Sequence, residues 1–245
     1  MSASTETTDL RIDALRRYPN AFALIAVCAA ATLATSLDIP ADAIPAVDVK
    51  PPIPKFTDYG NQVGIAFSRT PAYSKEFDSA IADAYKACKE RLADVKAGKK
   101  LAVVSDVDET LLDNRPFFET QTKFDWPAFT AWINKAEAPT LPKTAKFLSW
   151  AKDNGFSVFL VTGRHEGMRK GTEANLKNRN VKYDELMMRS ATSNAKAESV
   201  KVPLREQVEK KGYNIVVNIG DQWSDLTGGH AMDCEKLPNK IYFVP

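Results

Sequence analysis

Histidine and cysteine are both scarce. His165 and His230 are the only histidines in 245 residues, which excludes a zinc site built on three of them. Cys28, Cys88 and Cys234 form no C-x-x-C pair, so zinc ribbons and thioredoxin-like redox motifs are excluded as well. The chain contains no G-x-G-x-x-G, G-x-x-x-x-G-K, G-x-S-x-G or H-E-x-x-H. Charge of one sign is also lacking. Lys and Arg number 33 against 31 Asp and Glu, a balance without the basic excess of a nucleic-acid surface. With 11 glycines and 14 prolines the composition is not of low complexity, and at 44% hydrophobic it can build a core. No apolar run reaches the roughly 20 residues of a membrane span. What is left in quantity is carboxylate.

The first fifty residues read apart from the rest. Ala21 to Ala31 is an unbroken apolar run preceded by Arg16 and Arg17. Small residues follow at Ala29-Ala30-Ala31 and Ala41-Asp42-Ala43. Charge, then a short apolar core, then small residues is the pattern of a secretory signal, and it predicts export to a periplasmic or extracellular space. Pro40, Pro45, Pro51, Pro52 and Pro54 then mark an extended linker, because proline removes amide donors and fixes φ. Residues 1–50 are therefore expected to be signal and linker, and 51–245 the folded domain. An oxidising compartment would allow Cys88 and Cys234 to pair; two unpaired core cysteines is the plainer expectation.

Within the domain, Phe77, Ile81, Tyr85, Cys88, Leu92 and Val95 recur at helical spacing and predict one helix over 72–97, stopped by Gly98. Short apolar runs predict buried strands at 101–107, 157–162, 186–189, 215–219 and 240–244. Helices are expected between them at 141–153, 166–179 and 197–211. Alternating apolar strands and helices imply an α/β fold, a Rossmann-like parallel sheet with helices on both faces. The stretch 112–139 is irregular and rich in aromatics, with Phe117, Phe118, Phe124, Trp126, Phe129 and Trp132.

Three of these strands end in polar clusters: Asp106-Val107-Asp108-Glu109-Thr110, Thr162-Gly163-Arg164, and Gly220-Asp221-Gln222-Trp223-Ser224-Asp225. Open α/β sheets bind ligands outside the carboxyl ends of their strands, so the three clusters should meet at one pocket. Asp106 and Asp108 lie two apart, on one face of a strand, where their charges repel unless a cation compensates. Asp221 and Asp225 add charge from the neighbouring loop. Carboxylates with almost no histidine suit a hard divalent ion such as Mg2+. Thr162 and the exposed amides beside Gly163 could bind a phosphate oxygen or merely cap a turn. Lys196 and Lys201 are the nearby cations such a site would draw on.

The residues DVDETLLDN (106–114), VTGR (161–164) and GDQWSDL (220–226), in this order and spacing, resemble the haloacid dehalogenase superfamily. Within it the chain is similar to the class B/class C acid phosphatase branch, which includes secreted bacterial phosphatases and plant vegetative storage proteins. The resemblance runs from about Lys55 to the C-terminus. It implies Mg2+-dependent hydrolysis of a small-molecule phosphomonoester through an aspartyl-phosphate. Position by position it makes Asp106 the nucleophile and Asp108 the general acid and base. Thr162 would hold a phosphoryl oxygen, and Lys201 would be the phosphate-binding lysine, with Lys196 as the alternative. Asp106, Asp108 and Asp221 would hold the metal, with Asp225 beside them to orient Asp221. Val202-Pro203 departs from the polar residues usual after that lysine. The insertion at about 112–139 would form a small cap, whose aromatics could stack a leaving group or simply make the cap's own core. A non-catalytic storage protein and a phosphotransferase stay open on the same fold.

Overall fold

The protein is described from a computed structural model covering residues 60–244. The expected signal segment and proline-rich linker lie outside the described residues. The chain begins with α1 (Gly60–Ser68), α2 (Pro71–Lys89) and α3 (Leu92–Lys96), then enters β1 (Leu101–Ser105). The insertion carries α4 (Arg115–Phe118) and α5 (Trp126–Lys135), and α6 (Pro142–Asp153) returns the chain to β2 (Ser157–His165). A 3-10 turn (Glu166–Met168) leads into α7 (Arg169–Asn178) and β3 (Glu185–Arg189). Then come α8 (Ala197–Lys210), β4 (Asn214–Gly220), the short α9 (Trp223–Leu226) and β5 (Asp233–Lys236).

The five strands are all parallel, in the order β3-β2-β1-β4-β5. Chain connections leave β1 first toward β2 and β3, then cross to β4 on the other side. The switch point therefore falls between β1 and β4, where a parallel sheet opens a crevice at its carboxyl edge. β1 is buried along its whole length, as its sequence Leu-Ala-Val-Val-Ser requires of a central strand. Its side chains alternate. Leu101 and Val103 join the core that α2 and α6 cover, with Phe77, Ile81 and Phe147. Ala102 and Val104 join the core on the opposite face, with Phe159, Val161 and Val208 of α8. This two-sided burial is the α/β architecture expected from the sequence. Among the described residues no helix is long and apolar enough to cross a membrane.

The same alternation separates the two cysteines. Cys88 is fully buried in the first core, whereas Cys234 packs against the second. The sheet lies between them, and both thiols are free.

Three sequence expectations are corrected. The helix expected over 72–97 is interrupted: the Arg91 amide donates to the Cys88 carbonyl only three residues back, and the chain restarts at Leu92. β2 runs past Thr162 to His165, so His165 ends a strand instead of sitting in a loop. The fifth strand is Asp233–Lys236, a polar edge strand paired with Val217–Gly220, not 240–244. The segment 240–244 spends its polar groups on side chains instead of a ladder. Ile241 N–H donates to Asn239 Oδ1 at 2.7 Å and Val244 N–H to Gln222 Oε1 at 3.0 Å. Ser224 Oγ donates to the Val244 carbonyl at 3.0 Å. The apolar character that suggested a strand serves burial, Ile241 being in the core.

The insertion leaves the sheet on two adjoining stalks. Leu141 N–H donates to the Leu111 carbonyl and Asp113 N–H to the Pro139 carbonyl, each at 2.8 Å. Asn175 of α7 then grips Ala138 at both its amide (3.0 Å) and its carbonyl (2.8 Å). Phe117, Phe118 and Phe129 pack into a buried core, so most of the aromatic content is structural. Phe124 and Trp126 remain 44% and 56% exposed at the rim.

Candidate active site

At the carboxyl end of β1 the Asp106 amide donates to the Ile219 carbonyl at 2.9 Å, so the nucleophile candidate is fixed by the β1–β4 ladder itself. Beyond it the backbone folds back at once, with the Leu111 and Leu112 amides both donating to the Val107 carbonyl. From β4, Asp221 follows directly, and α9 brings Asp225 alongside. The approach is close. A Cβ on Gly220 would lie 2.3 Å from that of Asp225, so only glycine fits there. Asp225 in turn accepts from the Gln222 amide at 2.8 Å, half of a capping box that holds this short helix.

Asp106, Asp221 and Asp225 are all buried, and each offers an oxygen within 4.8 Å of the others. Lys201 reaches from α8 into this cluster. Its Nζ donates to Asp106 at 2.5 Å and also to Asp225. Lys196 stands at the N-cap of α8 and belongs to no hydrogen bond described for the cluster. Pro203 and Val202 do not interrupt α8. Val202 instead presses on Gly228, whose φ of +82° and lack of a Cβ make room for it. Arg205, one turn beyond Lys201, does not face the acids. Its guanidinium takes the carbonyls of Asp225 (2.7 Å), Gly229 (3.1 Å) and Thr227, clamping the loop that follows α9.

The electrostatics follow from burial. Desolvation pushes the Asp106 carboxyl well above the usual carboxylate range. Lys201 pulls it back, and Asp225, Asp221 and Asp108 push it up again. Asp221 is raised for the same reason, burial first and Asp225 second. Burial alone would lower Lys201, but Asp106 and Asp225 outweigh it and raise the ammonium above its ordinary value. Asp221 accepts from Thr110 Oγ1 (3.1 Å), Gln222 Nε2 (2.6 Å) and Asn239 Nδ2 (2.6 Å), and Lys236 donates to its carbonyl. Three crowded carboxylates and hard oxygen donors, short of compensating charge, fit a hard divalent cation.

Asp108 is not brought into that cluster. Its carboxylate is held by Arg164, with Nε at 3.0 and 3.1 Å and Nη2 at 2.6 Å, and by Asn114 Nδ2 at 2.8 Å. The Arg164 side chain is 2% exposed, and its other arm donates to Thr172 Oγ1 at 3.0 Å. Asn114 accepts from Trp132 Nε1 of the cap at 2.9 Å. Thr162 is fully buried within β2, three residues before its end, and its hydroxyl oxygen accepts from the Arg164 amide at 3.1 Å. Beneath this corner, Glu109 takes the Asn114 amide at 2.8 Å and the Tyr242 hydroxyl. Burial, then Asp108 and Asp221, push its carboxyl well up.

Several of these groups carry no function in a reading of the sequence. Arg164 follows Thr162 by two, a spacing that shares a strand face, and that was its available signal. Asn114 lies inside the first motif but has no local pattern to mark it. Lys236, Asn239 and Tyr242 reach the site only through the fold.

A family model described as HAD superfamily, subfamily IIIB (acid phosphatase), matches residues 53–245. The chain is 36% identical over 160 residues to a stem 28 kDa glycoprotein of Glycine max, covering 62% of this chain. It spans 63% of that relative's length. It is 34% identical over 181 residues to acid phosphatase 1 of Solanum lycopersicum, covering 71% of this chain and 70% of the relative. Among solved structures, the class C acid phosphatase from Bacillus anthracis superposes with a TM-score of 0.59 at 22% identity. That alignment covers 76% of this chain and 87% of the other, a likeness of fold.

Proposed function

The chain belongs to the acid phosphatases of HAD superfamily subfamily IIIB, and on that premise we propose that it hydrolyses phosphomonoesters through an aspartyl-phosphate on Asp106. The observation that carries this reading is the division of carboxylates at one sheet edge. One of them, Asp106, is gripped by a buried lysine among further acids, and another, Asp108, stands two residues away on an arginine.

Asp106, Asp221 and Asp225 would hold the divalent ion. Bound there, it supplies positive charge that lets an anionic nucleophile approach an anionic ester. Lys201 supplies fixed positive charge at the same oxygens, preorganised where charge develops. The Asp106 carboxylate oxygen forms the bond to phosphorus as the ester P–O bond breaks. Thr162, with its oxygen already accepting from the Arg164 amide, can donate its hydroxyl proton to a phosphoryl oxygen. Asp108 delivers a proton to the departing alkoxide, then accepts one from the water that cleaves the acyl-phosphate. Arg164 and Asn114 hold Asp108 on the leaving-group side, away from the acidic cluster.

A panel of phosphomonoesters assayed with and without Mg2+ tests the reading. A chelator should abolish turnover and Mg2+ should restore it. Full activity in the chelator would remove the metal from the proposal. No turnover of any ester would favour a non-catalytic storage or binding role. We also propose, from the charged, apolar and small residues of 16–43, that the protein is exported. N-terminal sequencing of the mature protein should then begin after Ala31 or Ala43, and an intact Ser2 would refute it.

A further inference from the structure

Arg189 closes β3 at the same carboxyl edge, and among the described arginines it alone buries a guanidinium nitrogen without a hydrogen-bond partner. Arg164 forks onto Asp108, Arg169 onto Glu166 and Glu173, and Arg205 onto three carbonyls. Arg189 makes one hydrogen bond, from Nη1 to the Ala195 carbonyl at 2.8 Å. Its Nε is buried without a partner, and among the described residues it has no ion pair. A partly desolvated guanidinium with an orphaned donor is costly unless something else meets it. Burial pushes its pKa down, as it should where no carboxylate offsets the desolvation.

Its position says what could meet it. Nη2 stands 3.9 Å from where a Cβ on Gly163 would be, so the missing side chain of Gly163 leaves space beside the guanidinium. Arg189 pairs in register with His165, whose ring stands edge-on to exposed Trp126 at 6.4 Å. β3 lies two strands from β1, roughly 9–10 Å at the usual strand spacing. A group met by Arg189 would therefore lie apart from a phosphoryl group at Asp106, toward the cap rim that Trp126 marks beside His165.

We propose that Arg189 anchors a second anion subsite, and that the preferred substrates are phosphomonoesters whose leaving group carries another oxyanion several bonds from the ester. This rests on the phosphatase reading above. A guanidinium presents paired donors to a carboxylate or a phosphate, and Nε and Nη2 are the arm left unused here.

The test compares 4-carboxyphenyl phosphate with its neutral isostere 4-carbamoylphenyl phosphate, and with 1,4-phenylene bisphosphate read at first phosphate release. The wild type and the variants Arg189→Gln and Arg189→Lys are assayed with Mg2+. The ratio of kcat/KM for anionic over neutral substrate should fall about 10- to 100-fold in Arg189→Gln, mainly through KM, and only partly in Arg189→Lys. Turnover of the neutral ester should change little. Ratios taken within one preparation cancel any inactive fraction and the intrinsic reactivity of each leaving group. The larger of the two anionic ratios identifies which oxyanion fits. If Arg189→Gln does not fold, the wild-type ratio carries the test, falling as salt is raised if the subsite exists. Equal losses on all three esters, or a ratio that neither the variants nor salt alter, would overturn the subsite alone. No turnover of any ester by the wild type would overturn the phosphatase reading and the subsite with it.

Discussion

The two corners of the site are held by different parts of the molecule. Around Asp106, Asp221 and Asp225 the supports are β1, β4, α8, β5 and the chain after it, with Lys201, Gln222, Lys236 and Asn239 as the contacts. None of these belongs to the cap. Around Asp108 the supports are Arg164 from the end of β2 and Asn114, which is tied to Trp132 on cap helix α5. The first corner is part of the core, and the second shares a hydrogen-bond chain with the cap. A change in the cap can therefore reach Asp108 without moving Asp106.

The largest test of this contrast is Lys201→Met. It removes the cation from two buried carboxylates, and breaking a buried pair in this way costs about 3–5 kcal/mol. Turnover should fall about 10²–10³-fold, the usual loss for one preorganised charge or donor. Denaturant unfolding should show the destabilisation in chelator and its partial recovery in Mg2+. Unchanged metal-free stability would mean that the first corner is not held by charge balance.

A smaller and more selective effect is expected from Trp132→Phe, which deletes the indole donor to Asn114 and keeps the ring packing against Phe117. A hydrogen bond of this kind is worth about 0.5–1.5 kcal/mol, or roughly a 2- to 12-fold loss. The loss should fall on alkyl phosphates, whose leaving groups need a proton, and spare aryl phosphates. The Mg2+ concentration giving half-maximal activity should stay put. A shift in that midpoint would join the two corners into one and end the comparison.

The two corners also differed in how far they could be read without a fold. Asp106 and Asp221 sit where apolar strands stop, and a central parallel strand must be apolar along its length, so composition alone marks its end. The resemblance offers Lys201 with Lys196 as the alternative, and the structure carries Lys201 to Asp106. Arg164 was visible only as part of a strand-end cluster. Its partner Asp108 is 56 residues away, and no local periodicity encodes such a pair. The cap aromatics illustrate a further limit. Phe117 and Phe129 are buried while Phe124 and Trp126 are exposed, although all four occur in one stretch of similar residues. Edge strand β5 escaped for the opposite reason, because its residues Asp-Cys-Glu-Lys carry no apolar signature.

By itself the sequence determined the alternation of strand and helix, the burial of β1 and the placement of acidic clusters at strand ends. These follow from local spacing and side-chain type, which act over a few residues. Only the tertiary structure decided which acids share a cation and which one turns to Arg164. It also decided that Cys88 and Cys234 lie on opposite faces, and that Arg189 has no counter-charge among the described residues. Each of these depends on which strands become neighbours and which face a side chain takes, and that is settled by packing two cores against one twisted sheet.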